Sequence, residues 1–445
     1  MVPRLYPPEI LKRILYHVID CQDLAECNRV NTTWQQATIP FLYERFQLTS
    51  WFSDNTTAQN FIEQEYGRHV KHLRLNMSLL EDECRPLLRS HQIQKRTSSL
   101  RRRGFKLFPG NNNNDHNCNT SSNDNSNFIE QRRSSLIDIP PTKQQQQRHI
   151  CFILLSILQS CKYVEIVELD FHDRTFNMSR NAVFIFSQWQ PKTIKTLHLM
   201  HLTRLIVTPH IQTLMQWIRK RNLVALRISH CVASLLSKQQ GEGTTAIDIL
   251  SGVSKIEISA LSLWDPVSAT NVLPEIHWPK SLRTLTILDS PDWLHQSENV
   301  LASLPAGLES LTLAITPDPS PTASFFLLQQ PSYHQKFQGR FDHGLCQVLA
   351  NCPNLYKLSV EGFPTLTDAF LIYLWKRRKT LSYELRNLTL ARNARLSGQD
   401  LVDMVLLDHG GCFATDRIDF SLNPNMDSDF LRCVKLTSNY AALSW

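Results

Sequence analysis

The segment Cys-Pro-Asn-Leu-Tyr-Lys-Leu-Ser-Val, residues 352–360, contains the pattern that decides the fold of this chain. Its apolar residues Leu355, Leu358 and Val360 form a frame, separated first by two variable residues and then by one. The frame occurs ten times, and seven of the nine intervals between successive frames are 26 to 30 residues long. A pattern repeated at a near-constant period predicts a solenoid. The frames begin at Val70, Val164, Ile194, Leu223, Val253, Leu282, Leu308, Leu355, Leu385 and Thr415.

The two longer intervals contain sequence that is unlike the repeats. The 94-residue interval after Val70 includes residues 92–148, which are rich in Asn, Gln, Ser and basic side chains. Such a segment buries too little apolar surface to offset the entropy cost of ordering it. We therefore predict a disordered basic insertion, either a nuclear-import or phosphorylation segment or a neutral loop. Residues 316–343 contain four prolines and predict a second long loop.

Each frame predicts a β-strand, because alternate strand residues point to the same side and the last two apolar positions can enter a core. Helical patterns such as Leu401-Met404-Val405 lie between the frames. One strand and one helix cannot bury their apolar faces alone, but stacked units can. We predict an α/β solenoid of about ten units over residues 65–436, a horseshoe with parallel strands on its concave face and helices outside. An ordinary α/β fold is the alternative.

The first fifty residues have a different pattern, which predicts three short helices. Pro7-Pro8-Glu9 suits the first turn of a helix. Asn31 is placed to cap the third helix, and Pro40 should end it. A module of this size is too small to bury all its apolar side chains. Its remaining apolar stripe is therefore expected to dock on another surface.

The order and spacing of these residues resemble those of an F-box. The match comprises Pro7-Pro8-Glu9-Ile10-Leu11, Ile14-Leu15, Asp23-Leu24, and Val30 followed by Trp34, with Tyr6 where the family usually has leucine. The resemblance implies that residues 1–50 bind the linker protein of an SCF-type (cullin-RING) ubiquitin ligase and, through it, the cullin. An ordinary three-helix cap on the repeats is the alternative. The residues implied at this contact are Pro7, Ile10, Leu11, Ile14, Leu15, Leu24, Val30 and Trp34.

The repeats resemble leucine-rich repeats of the cysteine-containing class that is common in F-box proteins. The segment Cys352-Pro353-Asn354-Leu355 leads into Leu366-Thr367-Asp368, as in the unit of that class. Together the two resemblances imply a substrate adaptor, whose F-box binds the ligase and whose repeats hold a target protein for ubiquitination and proteasomal degradation. A non-degradative repeat scaffold that sequesters a protein partner is the alternative.

The target is expected on the outward-facing residues of the predicted strands. These residues are mixed in charge and mostly small and polar, which suits a protein segment better than a polyanion. Trp264 and Trp293 follow strands and are candidate anchors. The residues expected to contact the target are Arg74, Glu168, Asp170, His198, Met200, Arg227, Glu257, Thr286, Leu288, Thr312, Ser359, Glu361, Thr389 and Asp419.

The chain lacks the sequence signatures of an enzyme. It has no HExxH, no GxSxG and no phosphate-binding loop with its lysine, so we expect no catalytic residue, no cofactor and no metal. Of the net charge of +7, an excess of six basic residues lies within residues 92–148, so nucleic acid is not an expected partner. A nucleic-acid-associated protein that uses this insertion is the remaining alternative. Eleven cysteines without a CxxC pair, and no signal peptide or membrane-length apolar run, predict a protein of the cytoplasm or nucleus that contacts no membrane.

Overall fold

The computed structural model describes residues 7–18, 20–48, 55–80, 143–176, 180–205, 214, 216–218, 220–231, 252–260, 278–290, 298–316, 340–381, 385–407 and 417–437. Within these residues, eleven strands form one sheet in which each strand pairs in parallel with the next along the chain. This arrangement is an α/β solenoid-like fold. The strands are β1 (Arg45–Leu48), β2 (His72–Asn76), β3 (Ile166–Phe176), β4 (Thr196–Leu205), β5 (Ala225–Ser229), β6 (Lys255–Ser259), β7 (Thr284–Leu288), β8 (Ser310–Ala314), β9 (Lys357–Glu361), β10 (Asn387–Thr389) and β11 (Arg417–Asp419).

Three helices precede the sheet, and helices after β1 contribute buried residues to its core. None of the helices in the described ranges is both long enough and apolar enough to cross a bilayer. The helices are α1 (Pro8–Tyr16), α2 (Cys21–Cys27), α3 (Thr32–Glu44), α4 (Asn55–Glu63), α5 (Lys143–Ser160), α6 (Arg180–Gln188), α7 (Glu298–Ala302), α8 (Arg340–Asn351), α9 (Asp368–Leu381), α10 (Gln399–Leu407) and α11 (Ser428–Thr437).

All ten frames coincide with strands, and the pairing keeps them in register. Leu73 pairs with Val167, Val167 with Leu197, and the same position continues strand by strand to Ile418. The last two apolar residues of every frame are buried in one continuous core, together with helix residues such as Leu154. The predicted inward-facing positions are therefore confirmed, and the alternate strand residues form the opposite, polar face.

Three boundaries expected from the sequence are wrong. The sheet begins at β1, inside residues 1–50 and before residue 65, because Phe46 and Leu48 pair with Leu73 and Leu75. Helix α5 begins at Lys143, so residues 143–148 are helical and do not belong to a disordered insertion. Helix α8 begins at Arg340, inside the predicted loop of residues 316–343, because its apolar face is buried in the core. Residues 92–142 and 317–339 lie outside the described residues.

The third helix differs from the expectation at its C-terminal end. Asn31 caps it as predicted, since its Oδ1 accepts from the backbone N–H groups of Thr33 and Trp34, both at 3.0 Å. Pro40, however, lies inside α3, which continues to Glu44. A proline inside a helix costs about 3 kcal/mol. Packing of α3 against α1 and α2 offsets this cost, and the carbonyl deprived of its donor belongs to Gln36, which is exposed to water.

Helix α3 runs directly into β1 without an intervening loop. The ring of Tyr43, at the end of the helix, stacks on the ring of Tyr66 with their centroids 4.4 Å apart. The carboxylate of Glu44 lies 3.1 Å from the ammonium of Lys71, and the backbone N–H of Lys71 donates to the carbonyl of Glu44. The three-helix module is therefore joined to the sheet through both backbone and side-chain contacts.

A residue in the left-handed backbone conformation follows most strands. It lies two positions after the last apolar residue of the frame. Its N–H group can donate to a carbonyl at the end of the next strand, as in the 3.0 Å hydrogen bond from Ala260 to Leu288. The two strands are thereby joined by one further hydrogen bond. Each non-glycine residue in this conformation costs about 1 kcal/mol. The residues with positive φ at this position are His201, His230, Ala260, Asp289, Gly362, Arg392 and Leu422.

One further position of the repeat holds neighbouring turns together. The side-chain amide of Asn393 accepts from the backbone N–H of Phe363 at 2.8 Å and donates to the carbonyl of Val360 at 2.9 Å. Asn423, one turn later, makes the same two contacts at 2.6 Å each. The sulfur of Cys231 is placed alike, 3.4 Å from a backbone nitrogen and 3.8 Å from a carbonyl oxygen of the preceding turn. These side chains satisfy backbone groups that would otherwise be buried without partners.

Candidate functional site

The N-terminal helices enclose a small core of their own. Leu11, Leu15, Leu24 and Ala37 are buried in it, separately from the core of the sheet. Because four side chains cannot cover the whole apolar surface of three helices, part of that surface is left outside. This exposed part is the first candidate binding surface.

The residues predicted to contact a linker protein divide into two groups. Ile10 and Ile14 lie one turn apart on α1 with 45% and 42% of their surface exposed, and Val30 is 60% exposed. Pro7 is also exposed, and Trp34 is half-buried against the small core. Leu11, Leu15 and Leu24 are buried by packing within the module, and their contact with a linker protein stays a prediction.

The fourteen residues predicted to contact a target all lie on the polar face of the sheet, in register from β2 to β11. Twelve of them are partly exposed. Asp170 and Ser359 expose only 1% and 4% of their surface, and their contact with a target stays a prediction. Asp170 is enclosed by the basic side chains that it binds, and Ser359 donates its hydroxyl to Glu361 at 2.7 Å. Trp264 and Trp293 lie outside the described residues.

A carboxylate between two imidazoles forms the centre of the polar face on β2 to β4. Glu168 Oε1 lies 3.1 Å from Nδ1 of His198. The Nε2 atom of His72 is 3.0 Å from the same oxygen, a contact that is an ion pair when the imidazole is protonated. The hydrogen bond with His198 and then the contact with His72 hold the pKa of the Glu168 carboxyl well below its ordinary value.

A second carboxylate, that of Asp170, connects the same three strands at the next outward-facing position after Glu168. Asp170 accepts from the guanidinium of Arg74 at 2.6 Å, and its other oxygen lies 3.0 Å from Nδ1 of His201. The ring of His201 stacks on the ring of His230, with centroids 5.0 Å apart and planes inclined by 16°. The charges of Asp170 and Arg74 are therefore neutralised within the protein, not presented unpaired at its surface.

Glu168, His198 and Ser229 form a line of hydrogen bonds across three strands. The Nε2 atom of His198 is 2.8 Å from the Ser229 hydroxyl, while its Nδ1 atom faces Glu168. A carboxylate, an imidazole and a hydroxyl in this order can activate a nucleophile. Ser229, however, exposes only 6% of its surface, which leaves no room for a substrate beside its oxygen. We interpret the line as a cross-strand structural network.

No metal site is formed by the side chains in the described ranges. They contain no group of three or more His, Cys, Asp or Glu residues with the arrangement that a metal ion needs. Among the described side chains, His72 and His198 lie against Glu168, and His201 lies against Asp170 and stacks on His230.

The C-terminal strands present a different surface. β9, β10 and β11 line an open groove with a volume of about 570 Å³. Lys357, Asn387 and Arg417 lie side by side across its three strands, because Asn387 pairs with Lys357 on one side and with Arg417 on the other. Glu361 and Arg392, which also line the groove, form an ion pair at 2.9 Å. The sequence predicts Ser359, Glu361, Thr389 and Asp419 as contact residues in this groove, but not the residues at the start of each strand, such as Lys357 and Arg417.

The comparisons with known proteins assign no family to this chain. A scan of the sequence against protein-family models matched none of them, and a search of curated proteins found no significant match. The candidate surfaces are therefore interpreted from their own residues.

Proposed function

We propose that this protein is a substrate adaptor of an SCF-type ubiquitin ligase, with an F-box over residues 1–50 and a leucine-rich-repeat solenoid behind it. In this proposal the exposed stripe of the F-box binds the linker protein and, through it, the cullin. The polar face of the sheet, taken as the concave face of a horseshoe, holds a target protein in the cytoplasm or nucleus.

The observation that carries the proposal is the apolar stripe of Ile10, Ile14 and Val30. These three side chains belong to a module that already has a core, yet they remain 42 to 60% exposed. Burying the exposed half of such a side chain contributes roughly 1 kcal/mol. A partner that covers the stripe would therefore gain a few kcal/mol from these residues alone, which is a sizeable part of a protein–protein affinity.

The repeat architecture supports the second half of the proposal. Parallel strands at a period near 30 residues, with asparagine or cysteine at one fixed position, agree with the leucine-rich-repeat pattern. Solenoids of this kind bind other proteins along an extended face. The polar face here mixes acids, bases and hydroxyl groups, which suits a protein target.

The mechanism that we propose is positioning. The adaptor holds lysines of the target close to the ubiquitin thioester carried by the ligase, and this raises their effective concentration. None of the residues of this chain takes part in the bond-forming step. The rigid joint between α3 and β1 suits such a role, because it fixes the target relative to the module.

The test is an affinity purification of the full-length protein, read by mass spectrometry. The variant Ile10→Asp/Ile14→Asp places two charges on the stripe and should lose the linker and the cullin. Lys12→Asp is the matched control, since Lys12 is exposed on the opposite side of the same helix and its variant should retain both. Equal recovery of the linker by the wild type and the double variant would rule the proposal out.

The non-degradative scaffold predicts a different result in the same cells. Proteins recovered with the wild type and with both variants are candidate targets, because their binding does not depend on the stripe. An adaptor requires that such a target is ubiquitinated and becomes more abundant in cells that carry Ile10→Asp/Ile14→Asp. A scaffold leaves the abundance of its partner unchanged.

A further inference from the structure

The N-terminal and C-terminal parts of the polar face differ in how many of their charged side chains form ion pairs. Among the side chains that the structure describes on β2 to β6, each acid is held by a base of a neighbouring strand, as in the pair of Arg227 and Glu257 at 3.2 Å. Glu168 and Asp170 are bound in the same way by histidines and Arg74. Little charge is left on this part of the face for a partner to pair with.

A group of basic and polar residues at the start of β9 to β11 differs from that arrangement. We call Tyr356, Lys357, Arg386, Asn387 and Arg417 the basic patch. The patch contains three cations and no acid, and the side chains of Lys357, Arg386 and Arg417 form no ion pair with any described residue. All three cations are exposed.

The strand pairing fixes the geometry of the basic patch. Lys357 and Arg417 flank Asn387, so their Cα atoms are two strand spacings, or about 10 Å, apart. Their side chains are long enough to converge on one carboxylate held above Asn387, whose amide can donate to it. Tyr356 exposes 42% of its surface beside Arg386, and their strands are joined by a 2.8 Å bond from the Arg386 N–H to the Tyr356 carbonyl.

The acids nearest to the basic patch within the described ranges have partners of their own. Glu361 is bound by Arg392 and by the hydroxyl of Ser359. Glu309, on the neighbouring turn, lies 3.6 Å from Arg283. Asp419 is the one acid of the groove without an ion pair among the described residues, and it accepts the backbone N–H of Ser421 at 2.9 Å. The described residues of the groove therefore carry a surplus of positive charge at the end where its strands begin.

We propose that the basic patch is the docking point for an acidic peptide segment of the target, with an Asp or Glu side chain held between Lys357 and Arg417. This inference deepens the function proposed above and rests on it for the role of the target. The charge complementarity selects an acidic segment, and the tyrosine and arginine side chains beside it are of the types that contribute most to protein–protein interfaces. Exposed charges of this kind also accelerate association at low salt.

The test uses the full-length protein and a phage-displayed library of random dodecapeptides. Peptides are selected on the wild type, with counter-selection on Lys357→Glu/Arg417→Glu. We expect the selected peptides to be enriched in Asp and Glu and to bind the double variant about tenfold more weakly, in a salt-dependent manner. Lys255→Glu is the matched control, because Lys255 is an exposed cation at the same strand-start position on β6, and this variant should bind as tightly as the wild type.

The outcomes separate the alternatives. Selected peptides without acidic enrichment, or acidic peptides that bind the wild type and both variants equally, would overturn the proposal. So would a synthetic peptide that binds only when its acidic residue is replaced by phosphoserine, because the site would then be specific for phosphate. The selection requires no linker protein, so a failure of the ligase proposal and a failure of the basic patch give different results.

Discussion

Arg74 and Asp170 are separated by 96 residues of chain and joined by a 2.6 Å hydrogen bond. The bond connects β2 with β3, the two strands that flank the predicted basic insertion. Five consecutive residue pairs keep these strands in register, from His72 and Ile166 to Asn76 and Asp170. The solenoid is therefore continuous across the longest interruption of the repeat period.

Deleting residues 92–138 should leave the fold intact for this reason. The deletion shortens the connection between the two strands, and loop-closure entropy predicts a gain of about 1 kcal/mol in the free energy of unfolding. Urea denaturation of the full-length and shortened proteins measures the difference. A loss of several kcal/mol would mean that the deleted residues pack against the solenoid.

Replacing Glu168 by Gln should change how stability depends on pH. The folded-state pKa of Glu168 is lowered, so its ionised form contributes stability above pH of about 4.5, and that contribution is lost as the pH falls further. Glu168→Gln should cost about 1 to 2 kcal/mol at pH 7 and progressively less as the pH falls from about 4.5 to about 3. Denaturation midpoints across this range test the prediction. Glu165→Gln, at a site 48% exposed and 3.6 Å from Lys195, is the control and should change little at either pH.

Asn393→Ala should be strongly destabilising. The buried amide satisfies one backbone N–H and one carbonyl of the preceding turn, and its removal leaves both without partners. We expect a loss of about 2 to 4 kcal/mol in the free energy of unfolding. Asn425→Ala removes a similar bond to the carbonyl of Ala394 at an exposed site and should cost less than about 1 kcal/mol. Equal effects of the two substitutions would show that burial does not set the cost.

Ala260→Gly should raise stability by about 0.5 to 1 kcal/mol. Ala260 has a φ of 50°, which glycine adopts without the strain that a Cβ atom brings. Ala225→Gly makes the same chemical change at the first residue of β5, where the conformation is extended, and should lower stability by about as much. Thermal melting of both variants decides the matter, and the prediction fails if the two shifts have the same sign.

Periodicity in the sequence was sufficient to predict the strands. Ten frames became ten strands, because an apolar pair at alternate positions can only be buried on one face of a sheet. The frame of β1 is also present in the sequence, as Tyr43, Phe46 and Leu48. It was not recognised, because residues 1–50 were assigned to the helical module as a whole. Pro40 was misleading for another reason, since tertiary packing outweighs its local cost.

The details of the candidate surfaces could not be predicted in the same way. The pairing of Glu168 with His198, or of Arg74 with Asp170, depends on which residues the register brings opposite each other. The burial of Leu11, Leu15 and Leu24 depends on how three helices close on one another, which spacing along the chain does not reveal. The outward-facing positions followed from alternation alone, and twelve of the fourteen are partly exposed.

Because α3 leads directly into β1, the number of strands sets the distance between the helical module and any position on the sheet. Each strand added between the helical module and a binding position displaces that position by about 4.8 Å along the sheet. The nine steps from β1 to β10 thus separate the module from the centre of the basic patch by roughly 43 Å of sheet. Inserting or removing one repeat would change the distance between the two proposed contact surfaces by about 4.8 Å, while each surface kept its own chemistry.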